Sequence, residues 1–129
     1  MTAAPKSSRT HSDRQRRGID GERRARAHLE AGNLRCIDAG WRCRLGELDL
    51  VMRDDDVLVF VEVRARASGS LVGAIESVDF HKQRRFVRAA RAWLAAHPAE
   101  AVLPARFDVV AVLDDEIHWL RNAFDIAAH

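Results

Sequence analysis

Lysine is nearly absent from this chain. Nineteen of its 21 basic residues are arginine, and Lys82 is the only lysine beyond residue 6. That leaves the chain's basic charge almost entirely on permanent cations, since arginine stays protonated in proteins. Cysteine is scarce too. Cys36 and Cys43 are separated by six residues and belong to no CxxC pair, so neither a zinc knuckle nor a disulfide framework is indicated, and free thiols in a reducing cytoplasm are expected. No apolar run approaches the roughly 18 residues that span a bilayer, and the polar N-terminus lacks the apolar stretch of a secretory signal. There is no internal repeat and no coiled-coil heptad. What remains is a chain of 129 residues, 47% hydrophobic, enough for a single core.

Charge is segregated along the chain although the net charge is only +2. Residues 1–30 and 79–97 are each net +4, whereas residues 31–78 and 98–129 are net −2 and −4. Two basic blocks flanking an acidic stretch make a footprint for a phosphate backbone, or simply two solvated helix faces.

The acidic stretch is the centre of the pattern. In residues 46–66, GELDLVMRDDDVLVFVEVRAR, Leu48, Leu50 and Met52 alternate with Glu47, Asp49 and Val51, as in a half-buried strand. The run VLVFV then reads as a strand buried on both faces. Asp54, Asp55 and Asp56 supply the turn between them. A four-residue loop over 54–57 would pair Arg53 with Leu58, and the same register sets Asp49 opposite Glu62. Opposed Cβ atoms lie about 4.5–5.5 Å apart, and like charges there repel. Two readings fit. A cation sits between the acids, in the way Mg²⁺ is held by one or two carboxylates with water and phosphate oxygens, or arginines and solvent satisfy them. A slip of one residue would put the two acids on opposite faces.

Around this hairpin, residues 1–13 read as a disordered basic tail and residues 14–129 as one domain. A helix is expected over 14–31, with Ile19, Ala25, Ala27, His28 and Leu29 on its less polar side and Gly32-Asn33 at its end. Gly18 and Gly21 are costly inside a helix and suggest close approach of a backbone or ligand. Strands are expected over 34–43, 105–113 and 116–120, a flexible loop over 67–73, and a helix over 79–97 that Asp79 caps and Pro98 stops. Phe86, Ala90, Trp93 and Leu94 form its buried stripe, with Arg84, Arg88 and Arg91 opposite. The order α, β, β, β, α, β, β predicts a mixed sheet with helices packed on it, an α+β arrangement.

Gly21-Glu22 opening a helix, WRCRLGELDLV, VLVFVEVRAR, a basic helix, RFDVV and a closing RNAF together resemble the YraN-like family of uncharacterised bacterial proteins, over roughly residues 17–126. That family is similar in fold to the PD-(D/E)XK nucleases, especially the Holliday-junction resolvases. The resemblance implies a restriction-endonuclease-like αβββαβ core and a metal-dependent endonuclease acting on structured or branched DNA. It also implies roles. Asp49 and Glu62 would hold Mg²⁺ or Mn²⁺, joined by Glu22 and the Val63 carbonyl. Arg64 stands where the nucleases carry a catalytic lysine. Arginine cannot accept a proton from water, although it can orient that water or hold a phosphate bidentately. Lys82 is the one candidate to replace the missing amine, against the plainer reading of a solvated surface lysine. Arg66, Arg84, Arg85 and Arg88 are expected to contact phosphates of a nucleic acid, with DNA the expected partner and no membrane. His81 could assist at the site, but a lone histidine near a helix start is expected to be polar surface. Asp108 is expected to be structural, pairing with Arg106 or Arg64. Resolvase-like proteins act as homodimers, and an exposed apolar edge at Ile117–Leu120 could serve as the dimer face. The alternative is a nuclease fold that binds nucleic acid without turnover.

Overall fold

The β2–β3 hairpin forms in the register that the turn chemistry predicts. In the computed structural model, which describes residues 6–66 and 70–125, β2 (Gly46–Asp54) and β3 (Val57–Ala65) pair antiparallel with Arg53 opposite Leu58. Asp54 also pairs with Val57, so the turn is Asp55-Asp56, and Asp55 takes the left-handed conformation (φ 51°) that a short polar side chain tolerates. On one side β1 (Arg35–Cys43) joins β2 antiparallel. On the other, β4 (Ala105–Val112) runs parallel to β3, and β5 (Ile117–Phe124) closes the edge antiparallel. The sheet order is therefore β1-β2-β3-β4-β5. The parallel step requires a crossover, which α2 (Leu71–Glu76) and α3 (Phe80–Ala96) supply. With α1 (Lys6–Ala31) in front, α1, β1–β3, α3 and β4 reproduce the expected αβββαβ order, with α2 and β5 added.

Both faces of the sheet are covered. Ala25 and Leu29 of α1 pack with Leu50, Met52, Val59, Val61 and Val110 on one face. Phe86, Val87, Ala90 and Trp93 of α3 pack with Leu48, Leu58, Phe60 and Phe107 on the other. Trp93 is fully buried, edge-on to Phe60, and its indole N–H donates to Asp38. Truncating such a side chain to alanine typically costs about 3–5 kcal/mol. Asp79 caps α3 as expected, accepting from the Lys82 N–H at 3.0 Å. Asn33 (φ 73°) ends α1, with the Leu34 N–H returning to the Leu29 carbonyl.

Several expectations change. The first helix begins at Lys6 rather than at 14, because no glycine or proline interrupts residues 6–17; residues 1–5 of the expected tail lie outside the described residues. Ile19 is exposed rather than part of the apolar side, because, two residues before Gly21, it points to the side of α1 opposite the face on which Gly21, Ala25 and Leu29 meet the sheet. The expected loop over 67–73 is partly helical: α2 begins at Leu71, capped by the Ser70 hydroxyl, and residues 67–69 lie outside the described residues. β5 continues to Phe124, so RNAF is strand rather than tail. The Ile117–Leu120 edge is not an exposed apolar strip. Ile117 and Trp119 are half-buried against the α1-side core, and Trp119 also meets Gly32 and His28. No described helix is long and apolar enough to cross a membrane. Cys36 and Cys43 are free, one near each end of β1.

Candidate active site

The hairpin ladder ends at Leu50–Val61. One step further the register brings Asp49 opposite Glu62, but the backbone pairing is replaced there. The Asp49 carboxylate accepts the Val63 N–H at 2.8 Å. The alternation of β2 breaks at the same point. Leu48 joins the α3-side core and Leu50 the α1-side core, although residues two apart in a regular strand share a face. Leu48 is thus not part of one stripe with Leu50 and Met52. Asp49 sits in the gap where β2 and β3 separate, and can be approached from both faces of the sheet.

Two glycines bring the helices to that gap. At Gly21 a Cβ would lie 2.7 Å from the Cβ of Ala65, so α1 lies directly on the end of β3 and delivers Glu22 to Asp49. Gly18, the other unusual glycine, has open space around it and lines the cleft instead. At Gly46 a Cβ would lie 3.2 Å from the Arg85 carbonyl, which seats α3 against the start of β2.

Glu22, Asp49 and Glu62 form one coupled set of carboxyls. Burial, reinforced by the charge of Asp49, pushes Glu62 up to about 8 and Glu22 up to about 7. Burial also raises Asp49, against the pull of the Val63 N–H and of the hydrogen bonds from the two glutamates. All three carboxyls therefore hold protons more tightly than free ones, as a set, and Asp49 is fixed in place by the Val63 N–H. Arg64 lowers Glu62 only in part. Its Nη1 donates to Glu62 Oε1 at 3.3 Å and its Nε to the Ser77 hydroxyl at 2.9 Å, with both charged side chains under a fifth exposed.

An open cleft of about 580 Å³ runs from Glu22 and Asp49 past Glu62 and Val63 to Arg64 and Arg66. A smaller hollow of about 170 Å³ on the α3 side shares Asp49, Glu62 and Arg64 and adds Lys82, Arg85 and Phe86. The site thus brings together Glu22, Asp49, Glu62, Val63, Arg64, Arg66, Lys82 and Arg85. Arg84 and Arg88 are exposed on α3 and line neither cleft, and His81 is exposed as expected.

Glu47 lines both clefts and was not singled out by sequence. It is half-exposed, paired with Arg42 at 3.0 Å, and its charge helps raise Glu22 and Asp49. The signal was available, since Glu47 lies one strand period before Asp49. Asp108 is structural and pairs with Arg106, not Arg64. Fully buried, it accepts from Arg106, from the Trp119 indole at 2.8 Å and from the Asn122 N–H at 2.9 Å, at the bulge between β4 and β5.

Among the described residues no three His, Cys, Asp or Glu side chains form a ready-made metal cage. The donor set nonetheless fits a hard cation. Desolvated carboxylates that repel one another in an open cleft leave room for the waters and phosphate oxygens that Mg²⁺ or Mn²⁺ retains.

Residues 21–112 match the family described as "Uncharacterised protein family UPF0102". A UPF0102 protein of Halorhodospira halophila is 50% identical over 115 residues, covering 89% of this chain and 92% of its own length. One from Xanthomonas campestris pv. campestris is 52% identical over 113 residues, covering 86% and 93%. One from Nitrosomonas europaea is 46% identical over 112 residues, covering 84% and 93%. The expected membership in a family of uncharacterised proteins is met: this chain belongs to the UPF0102 family.

Proposed function

We propose that this protein is a metal-dependent nuclease that hydrolyses phosphodiesters in structured or branched DNA. The observation that carries the reading is the meeting of desolvated Asp49 and Glu62 in a gap of the sheet, at the junction of two clefts edged by arginines. Asp49 and Glu62, with Glu22 and the Val63 carbonyl, would hold Mg²⁺ or Mn²⁺. The chemistry that such an ion would supply when bound is polarisation of a phosphoryl oxygen and a lowered pKa of water. Arg64 keeps its charge and presents a guanidinium beside Glu62, suited to holding the scissile phosphate rather than taking a proton. Lys82 reaches the same hollow from α3 and supplies the one amine there. Arg66 and Arg85 line the clefts as phosphate contacts, and Arg84 and Arg88 extend that charge along the exposed side of α3. A cytoplasmic location and a homodimer on two-fold related junction strands go with this reading.

A second reading, binding without turnover, has its own support. Arg64 occupies the nuclease lysine position and is tied to both Glu62 and Ser77. A labelled panel of four-way junction, flap, single strand and duplex with Mn²⁺ or Mg²⁺ separates the two. The nuclease reading expects metal-dependent cleavage that falls below detection in Glu62→Gln. If the native protein and Arg64→Lys both bind junctions without cutting any substrate, the silent binding module is the correct description.

A further inference from the structure

The acid cleft has a neighbour of opposite charge. On the far side of the Gly21–Ala65 contact, a hollow of about 320 Å³ is edged by Arg16, Asp20 and Arg24 of α1, by Arg66, and by Asp114 after β4. Arg16, Asp20 and Arg24 recur at four-residue steps, so one face of α1 presents them together. Arg66 belongs to this hollow and to the acid cleft alike, which makes the two continuous. Three guanidiniums against two carboxylates leave this hollow positive, whereas the acid cleft has Glu22, Glu47, Asp49 and Glu62 against Arg64 and Arg66. Arg24 is held in place by its Nη2, which donates to the Asp114 carbonyl at 3.2 Å. Along the helix axis, Arg16 lies about 9 Å from Glu22 at 1.5 Å per residue. A strand lying in the acid cleft would therefore carry its next phosphates past Arg66 into the α1 hollow.

We infer that Arg16, Arg24 and Arg66 form a binding site for backbone phosphates of the DNA, so that the strand leaves the acid cleft along α1. This rests on the nucleic-acid reading above and adds to it a direction and two residues. It places the stronger phosphate contacts on α1, not on the exposed Arg84 and Arg88 of α3.

The test is fluorescence anisotropy of a labelled four-way junction between 50 and 200 mM salt, under conditions that keep the DNA intact. It compares the native protein with Arg16→Ala/Arg24→Ala, with Arg84→Ala/Arg88→Ala, and with Arg16→Glu, which leaves the Arg24–Asp114 bond intact. Each lost phosphate contact should flatten the slope of log affinity against log salt by about one unit. The α1 double variant is expected to lose one to two units of slope and about tenfold in affinity at low salt. Arg16→Glu should weaken binding in the same direction, and the α3 variant should change less than the α1 variant. If the native protein binds the junction but the α1 variants keep its affinity and slope, the α1 site is wrong and the nuclease reading stands. If the native protein shows no salt-dependent DNA binding, both fall together.

Discussion

Replacing Asp108 by alanine is expected to destabilise the protein by about 3–5 kcal/mol, the range for removing one partner of a buried ion pair. Asp108 is fully buried and accepts from three separate groups. Arg106 approaches at 3.1 Å, the Trp119 indole at 2.8 Å and the Asn122 N–H at 2.9 Å. Arg106 would keep only Asp54, at 3.0 Å, and the Trp119 and Asn122 donors would lose their acceptor at the strand bulge. Small domains have about 5–15 kcal/mol in total, so most of the margin goes. Chemical denaturation of Asp108→Ala and Asp108→Asn would measure it. A loss below about 1 kcal/mol in both would mean that water replaces the carboxylate, and that the network is not what fixes β5 to the sheet.

The acids of the cleft predict an opposite dependence on charge. Glu62 sits near 8 and Glu22 near 7 in the folded protein, against 4.5 when unperturbed. The folded state therefore binds these protons more tightly than the unfolded chain, and their effect on stability worsens as pH rises from about 4.5 through 8. In metal-free buffer Glu62→Gln should melt higher than the native protein at pH 8.5, by several degrees, and close to it at pH 5. The variant discards a charge that burial and Asp49 both disfavour, so a residue proposed for catalysis is one whose removal stabilises the fold. Calorimetric melting of the pair across that range decides the matter. A native-minus-variant difference that is flat in pH would show that Glu62 is ionised without penalty and that the acids do not act on one another.

The parts of this arrangement visible in sequence are those set by local rules. The Asp-rich turn fixes Arg53 against Leu58, and a count of two per step then finds Asp49 and Glu62. The Asp79 cap and the Phe86–Trp93 stripe place α3 in the same way. What sequence did not reveal depends on contacts between distant segments. Leu48 crosses to the α3 core because β2 and β3 part there, which no alternation pattern predicts. Arg64 is tied to Ser77, thirteen residues on, through a six-residue helix too short to show a period. Ile19 is apolar, yet it lies on the side of α1 away from Gly21, Ala25 and Leu29, and only the packing of those three shows which side meets the sheet. Trp119 reads as an edge residue until α1 and Asp108 are brought against it.

The most direct test of the central claim is calorimetric titration of Mn²⁺ into the native protein and into Asp49→Asn at pH 8 and pH 5.5. If Asp49 and Glu62 share a divalent ion, the native protein binds Mn²⁺ at pH 8. It binds more weakly at pH 5.5, where protons compete for the same oxygens, and Asp49→Asn loses the binding. Equal Mn²⁺ binding by both proteins, or none by either at pH 8, would contradict a metal-dependent site at this gap in the sheet.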